Sequence, residues 1–338
     1  MNYVSIGDMA QAFQMRRHNV ELQKHLSRLT EEMTTGVRAD LADAVSGDFK
    51  VLAGIDRSLR TLDAYKTATN EAALFTETLQ AALEAAQDMA TDLAPGLLTA
   101  ATSTSATLVD TTAGDARQKF HAVVSALNTG VADRYLLSGT ATDRKPISGS
   151  QDILDALMVA VAGQVTTSGV ETAVAAWFDA PPGGGGYLDQ VYGGAATALA
   201  PFQIGPGDEV TMDVTAADPA LRDLLAGMAL GALVAEGVLA GDATGRALLA
   251  KRSGEALISS GNQMAALRAR IGTVEAHISN TATRNATEAS ALEIARNELT
   301  AADPYNTASA LEAVQTQIET LYTLTARLSR LSLADFLR

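Results

Sequence analysis

Three side chains near the N-terminus have residue types and spacing that could form a metal or acid–base site. His18, Glu21 and His25 lie three and four residues apart, so a helix would bring them near one face. Imidazole and carboxylate groups are common metal ligands, but a stable site needs further ligands and hydrogen-bonded support. The chain has four histidines in all, and no such support stands near these three. We therefore interpret them as the solvated flank of a helix.

Two glycine-rich segments raise the possibility of a phosphate-binding loop. One is Gly183–Gly186, which follows two prolines, and the other is Gly205-Pro206-Gly207. A phosphate loop cradles its ligand with backbone N–H groups and continues into Lys and Ser or Thr. Neither segment continues in that way, so we interpret the first as a flexible surface loop. The aromatic pair Trp177-Phe178 is most simply a core anchor.

Composition excludes several functional classes. The chain has no cysteine, which rules out disulfides, thiolate nucleophiles and cysteine-bound metals. Its formal charge is −14 and it has no basic block, so binding to nucleic acid or to an anionic membrane is not expected. No paired carboxylates stand out for general acid–base catalysis. We therefore expect a protein that is not an enzyme and that needs no cofactor.

Two features bear on membranes and export. Met1–His18 lacks the apolar core of a secretory signal peptide, so we expect no cleavable signal. Leu224–Ala240 is the longest apolar run and contains Gly227-x-x-x-Gly231, but Glu236 interrupts it. The uncharged part is too short to span a bilayer, so we interpret it as a buried helix packed through small residues.

Both ends of the chain have the pattern of a coiled-coil helix. In the N-terminal segment, apolar residues recur at alternating spacings of four and three, and Asn19 is the one polar residue of the seam. In the C-terminal segment, Ser309-x-x-Glu312 resembles a capping box and the same spacing follows it. These stripes predict the assembly interface: Met15, Asn19, Leu22, Leu26, Leu29, Met33, Leu311, Val314, Ile318, Leu321, Leu328 and Leu331.

Further helical patterns lie between the ends. They span about 46–93 and 244–299, and a shorter helix is predicted to open at Gly114-Asp115. The middle segment is rich in proline and glycine, contains the alternating strand 209–214, and ends at Asp218-Pro219, a helix-start signal.

We therefore predict a mainly α fold: an elongated helical rod with terminal coiled-coil helices and a small inserted α+β domain. The predicted segments are an N-terminal coiled-coil helix, the first half of the rod, the inserted domain, the second half of the rod and a C-terminal coiled-coil helix, at 1–43, 44–139, 140–218, 219–300 and 301–338.

A series of short motifs, in this order along the chain, resembles a known family. They are Met33–Arg38, Asp133–Asp143 with Pro146, Arg268-x-Arg270-Ile271-Gly272, Ala302–Ala308 and Leu331–Leu337. Together they resemble the flagellin superfamily and, within it, the hook-associated protein 3 (FlgL) type. The stretch 42–48 departs from the family pattern, because its acidic residues are separated where the family usually pairs them.

The resemblance implies a structural subunit of the bacterial flagellum that joins hook to filament through its terminal helices. Its implied partners are flagellin, the hook-side junction protein, copies of itself in a ring, and a cytosolic export chaperone at the C-terminal helix. It also implies an extracellular location at the hook–filament junction, reached by type III export without cleavage. Two alternatives remain open: a filament flagellin, and a helical-bundle enzyme or sensor module.

Overall fold

The structure, a computed structural model, describes residues 6–103 and 105–336, without the side chains of residues 6–8, 11, 12 and 328–336. Within these ranges the chain is mainly α, as predicted. The helices are α1 (Ile6–Thr35), α2 (Leu41–Ala44), α3 (Lys50–Thr102), α4 (Ala106–Leu127), α5 (Ser150–Ala160), α6 (Thr167–Asp179), α7 (Tyr187–Gln190), α8 (Pro219–Ala235), α9 (Ala243–Thr300) and α10 (Pro304–Phe336). Two antiparallel hairpins, β1 (Gly130–Val131) with β2 (Arg134–Tyr135) and β3 (Phe202–Gly205) with β4 (Asp208–Val210), complete the described elements.

The chain divides into two compact units. The terminal unit contains residues 1–63 and 286–338, and the central unit contains residues 64–285. The predicted middle segment, 140–218, belongs to the central unit, and its buried side chains are part of that unit's single apolar core. The division into five segments stays a prediction.

Helix α8 lies at the centre of the central unit's core. Asp218 accepts a hydrogen bond from the Ala220 N–H at 2.9 Å and Pro219 opens the helix, as the sequence predicts. The Gly227 carbonyl accepts a 2.6 Å hydrogen bond from the Ser253 hydroxyl on α9. The missing Cβ of Gly227 allows this close packing, because it would lie 3.1 Å from the Leu257 side chain. A Cβ at Gly231 would lie 2.9 Å from the Ser253 hydroxyl oxygen. None of the described helices combines the length and apolar character that a membrane-spanning helix needs.

Two helix boundaries and one strand boundary differ from the sequence prediction. Helix α3 continues through Pro95 to Thr102 instead of ending near residue 93, because Leu97 and Ala100 remain buried beyond the proline. Helix α4 begins at Ala106 and not at Gly114, since Ser105 caps it by accepting from the Leu108 N–H. The strand predicted at 209–214 is shorter, because β4 ends at Val210.

Aromatic side chains anchor the middle segment. Trp177 and Phe178 are buried and meet edge to face with ring centroids 4.9 Å apart, so their prediction as a core anchor is confirmed. Tyr187 stacks on Phe178 and donates its hydroxyl hydrogen to the Ala216 carbonyl at 2.9 Å. Burial raises the pKa of Tyr187, which keeps the phenol neutral.

The carboxylate of Asp208 attaches the β3–β4 hairpin to α9. Asp208 accepts hydrogen bonds from His277 at 2.8 Å, Thr281 at 3.2 Å and Arg284 at 3.0 Å. These contacts, chiefly the one with His277, lower the pKa of Asp208. Asn285 adds a buried hydrogen bond from its side-chain amide to the Ile204 carbonyl at 2.8 Å. Side chains of one helix therefore hold both strands of the hairpin next to its turn.

The backbone conformation of residues 138–140, which follow β2 within the motif Asp133–Asp143, depends on Gly139. The Thr140 N–H donates to the Thr197 carbonyl at 3.0 Å, and the Ala195 N–H donates to the Ser138 carbonyl at 2.9 Å. Gly139 lies between them with φ +59°, and a Cβ there would approach the Thr197 and Ala195 carbonyl oxygens closer than 3.0 Å. Only glycine fits both this backbone conformation and this space.

We expect Gly139→Ala to destabilise the central unit by about 2–4 kcal/mol, because backbone strain and a backbone clash add. Gly163→Ala is the matched control, since Gly163 also has positive φ, at +80°, but faces open space. It should cost about 1–2 kcal/mol. Urea unfolding followed by the fluorescence of Trp177 measures both; equal losses in the two variants would contradict the predicted clash.

Candidate assembly interface

The two terminal helices pack against each other within the chain. Leu22 and Leu29 of α1 and Val314 of α10 form a buried apolar cluster. Four further predicted interface residues pack against this cluster and are partly buried: Leu26, Leu311, Ile318 and Leu321. Seven of the twelve predicted residues therefore cover one another.

A short backbone bridge joins the ends of this pair. The Ala302 N–H donates to the Gly36 carbonyl at 2.9 Å, and the Arg38 N–H donates to the Thr300 carbonyl at 2.8 Å. Val37 and Ala301 form the antiparallel bridge between these two bonds. Since the end of α1 and the start of α10 meet here, the two packed helices run antiparallel.

Gly36 and Asp303 set the geometry of this junction. Gly36 has φ +71° and its N–H donates to the Glu32 carbonyl at 2.9 Å, so it ends α1 in the left-handed conformation that glycine favours. Asp303 begins α10 by accepting from the Tyr305 N–H at 2.9 Å. The predicted capping box at Ser309 and Glu312 is wrong, because α10 begins at Pro304 and both residues lie inside it.

The other predicted interface residues are less enclosed or fall outside the description. Met15 and Asn19 are half-buried and do not belong to the buried cluster. Met33 is 48% exposed, because it lies in the last turn of α1, where α10 has only begun. The side chains of Leu328 and Leu331 lie outside the described residues.

A second apolar stripe on α1 was not predicted from the sequence. Met9, Phe13 and Val20 are 63%, 68% and 49% exposed. At about 100° per residue they share one side of the helix, and Leu22 and Leu29 lie on the opposite side. The spacing of four and seven residues in this stripe was readable in the sequence, but the longer leucine seam obscured it. We call Met9, Phe13 and Val20 the outer stripe.

The residues first considered for metal or acid–base chemistry do not form such a site. His18, Glu21 and His25 are exposed on α1, and Glu21 lies 3.5 Å from Arg17 in an ion pair. In the part of the chain that the structure describes, no three His, Asp or Glu side chains cluster as metal ligands.

The glycine-rich loop uses its backbone donors internally. The carboxylate of Asp189 accepts hydrogen bonds from the Gly183 N–H at 2.8 Å and the Gly185 N–H at 2.7 Å. These two bonds lower the pKa of Asp189. A carboxylate of the chain thus takes the place that a bound phosphate would need. Gly207 lies in the tight turn of the β3–β4 hairpin.

The comparisons with known proteins bear on the same region. Residues 256–337 match the family model of the bacterial flagellin C-terminal helical region. This match supports a structural role in the flagellum. One similar solved structure is assigned as a flagellar hook-associated protein from Vibrio parahaemolyticus, with 11% identity and a TM-score of 0.43 over 73% of this chain and 99% of that one. No curated protein matches the chain significantly.

The flagellin-like region covers part of α9 and all of α10, and it contains three of the motifs on which the family resemblance rests. Arg268 connects α9 to α3 by donating to Gln87 at 3.0 Å and pairing with Glu84 at 3.2 Å. Arg270 pairs at 3.0 Å with Asp218, the residue that caps α8. Both arginines of this motif therefore stabilise packing within the central unit.

We expect Leu29→Ala to weaken the α1–α10 pair by roughly 2–3 kcal/mol, because it leaves a cavity in the only apolar cluster described between these helices. Val20→Ala on the outer stripe of the same helix is the matched control and should change stability by less than about 0.5 kcal/mol. Hydrogen exchange of the α1 amides in the full chain reports the difference. Similar protection in both variants would contradict the assignment of inner and outer faces.

Proposed function

We propose that the chain is a structural, non-enzymatic subunit of the bacterial flagellum that joins hook to filament. The observation that carries this proposal is the flagellin-like C-terminal helical region, whose last helix forms an antiparallel pair with α1. A pair of helices that buries few large side chains is a weak structure alone. Contacts with neighbouring subunits would stabilise it by mass action.

The two faces of α1 then have different roles. The inner face, around Leu22 and Leu29, packs against α10 of the same chain. The outer stripe remains exposed, and removal of such apolar surface from water favours association. On α10, Tyr322 and Leu324 are also about half exposed. We infer that these outer residues contact neighbouring subunits, together with Met15, Asn19, Met33, Leu328 and Leu331 of the predicted interface.

The partners of this proposed role follow from the family resemblance. They are flagellin on the filament side, the hook-side junction protein, and copies of the chain in a ring. An export chaperone would cover the C-terminal helix before assembly, and the chain would leave through the flagellar type III channel without cleavage. A filament flagellin is the second candidate, because the matched C-terminal region bears the name of flagellin itself.

Deletion of the gene separates the two candidates. For a junction protein, we expect intact hooks, no filaments, and flagellin monomers in the medium, because subunits pass the hook but have nothing to assemble on. For a filament flagellin, filaments are lost and the medium contains no flagellin. Electron microscopy and immunoblotting of the medium make the measurement. Normal filaments in the deletion strain would contradict both roles.

Complementation of the same strain tests the outer stripe. The double variant Phe13→Ala, Val20→Ala should be exported and folded but should not restore filaments, because it lacks the apolar contact surface. Val159→Ala, Val165→Ala is the control: these valines are 78% and 80% exposed but belong to the central unit. The control variant should restore filaments. Full restoration by the outer-stripe variant would reject the proposed contact face while leaving the junction role standing.

A further inference from the structure

The central unit has a groove that no described residue of α1 or α10 lines. It is formed by α6, α8 and α9 and has a volume of about 210 Å³. Its apolar floor includes the buried side chains of Val174, Phe178 and Leu230. Small residues, Gly227 on α8 and Ala256 on α9, leave the space open. The floor therefore suits a ligand with an apolar part.

The charged side chains that line the groove are all acidic. They are Glu171, Asp179 and Asp223, and no lysine or arginine lines the groove with them. Glu171 pairs with Arg252 at 3.5 Å, and Asp179 pairs with Arg222 at 3.8 Å. Asp223 is half-buried and has neither an ion pair nor a hydrogen bond to any described residue. Its carboxylate is therefore free to form a charge-assisted hydrogen bond with a cation in the groove.

The size and the acceptors of the groove indicate which cation fits. Pockets for small-molecule ligands usually have volumes of about 300–1,000 Å³, so this groove is better matched to one side chain. Asp223 on α8 and Ser259 and Gln263 on α9 line the groove, and all three side chains carry hydrogen-bond acceptors. A guanidinium group has five donors in a planar fork and can serve acceptors on two helices, which an ammonium group does less well.

We propose that this groove receives an arginine side chain of a protein partner. The methylene stem would lie on the apolar floor and the guanidinium group would pair with Asp223. The chain's net charge of −14 favours approach of such a basic partner. This inference does not depend on the flagellar role, because it rests on the lining of the central unit alone.

A pair of probes tests the chemistry directly. N-acetyl-arginine amide and N-acetyl-citrulline amide have nearly the same shape, but only the first is charged. We expect the arginine probe to bind the full chain roughly three- to tenfold more tightly, which corresponds to one partly exposed charge-assisted contact. Added salt should reduce the preference. The fluorescence of Trp177, the sole tryptophan and the neighbour of Phe178, and the amide signal of Gly227 provide two independent readouts.

The variant Asp223→Asn should abolish the preference for arginine. Asp92→Asn is the matched control, because Asp92 is an exposed aspartate on α3 outside the groove, and it should keep the preference. Thermal unfolding of both variants verifies that they fold. Equal binding of the two probes, absence of binding by either, or an unchanged preference in Asp223→Asn would each overturn the proposal.

Discussion

The terminal unit depends on the backbone bridge between the end of α1 and the start of α10. Residues 36–38 and 300–302 exchange backbone hydrogen bonds, and this bridge sets the register in which α1 and α10 pack. Leu22, Leu29 and Val314 are the side chains that the resulting contact buries most fully. Because this apolar cluster is small, the backbone hydrogen bonds of the bridge hold the pair together alongside apolar burial. The outer stripe of α1 remains exposed and is available to neighbouring molecules.

Much of the fold follows from local sequence signals. The apolar spacing of α9 and the Asp218-Pro219 start of α8 predicted those helices closely, since periodicity and capping are local properties. The boundaries that were missed depend on tertiary contacts. Pro95 would end an isolated helix, but buried residues beyond it keep α3 continuous. Ser105 caps α4 nine residues before Gly114, where the sequence predicted the helix to begin.

The contact between the two terminal helices was partly predictable from the sequence, and the exposed outer stripe of α1 was not. The seam pattern identifies Leu22, Leu29 and Val314 as buried, and the structure encloses all three. The pattern could not tell which side of α1 the chain covers by itself, because that depends on the partner at the other end of the sequence. The side-chain contacts that attach the β3–β4 hairpin to α9 could not be predicted from local sequence either, since Asp208 and His277 are 69 residues apart in the chain. The family match adds information for residues 256–337 only.

The bridge between Gly36 and Ala302 also has a consequence for the order of folding. It joins residues that are far apart in the sequence, so its formation requires closure of a very long loop. During synthesis, α1 emerges before α10, the helix that covers its inner face. The inner leucines of α1 therefore stay in water until α10 has been synthesised. The time for which this inner face stays exposed is therefore set by the length of the chain between α1 and α10.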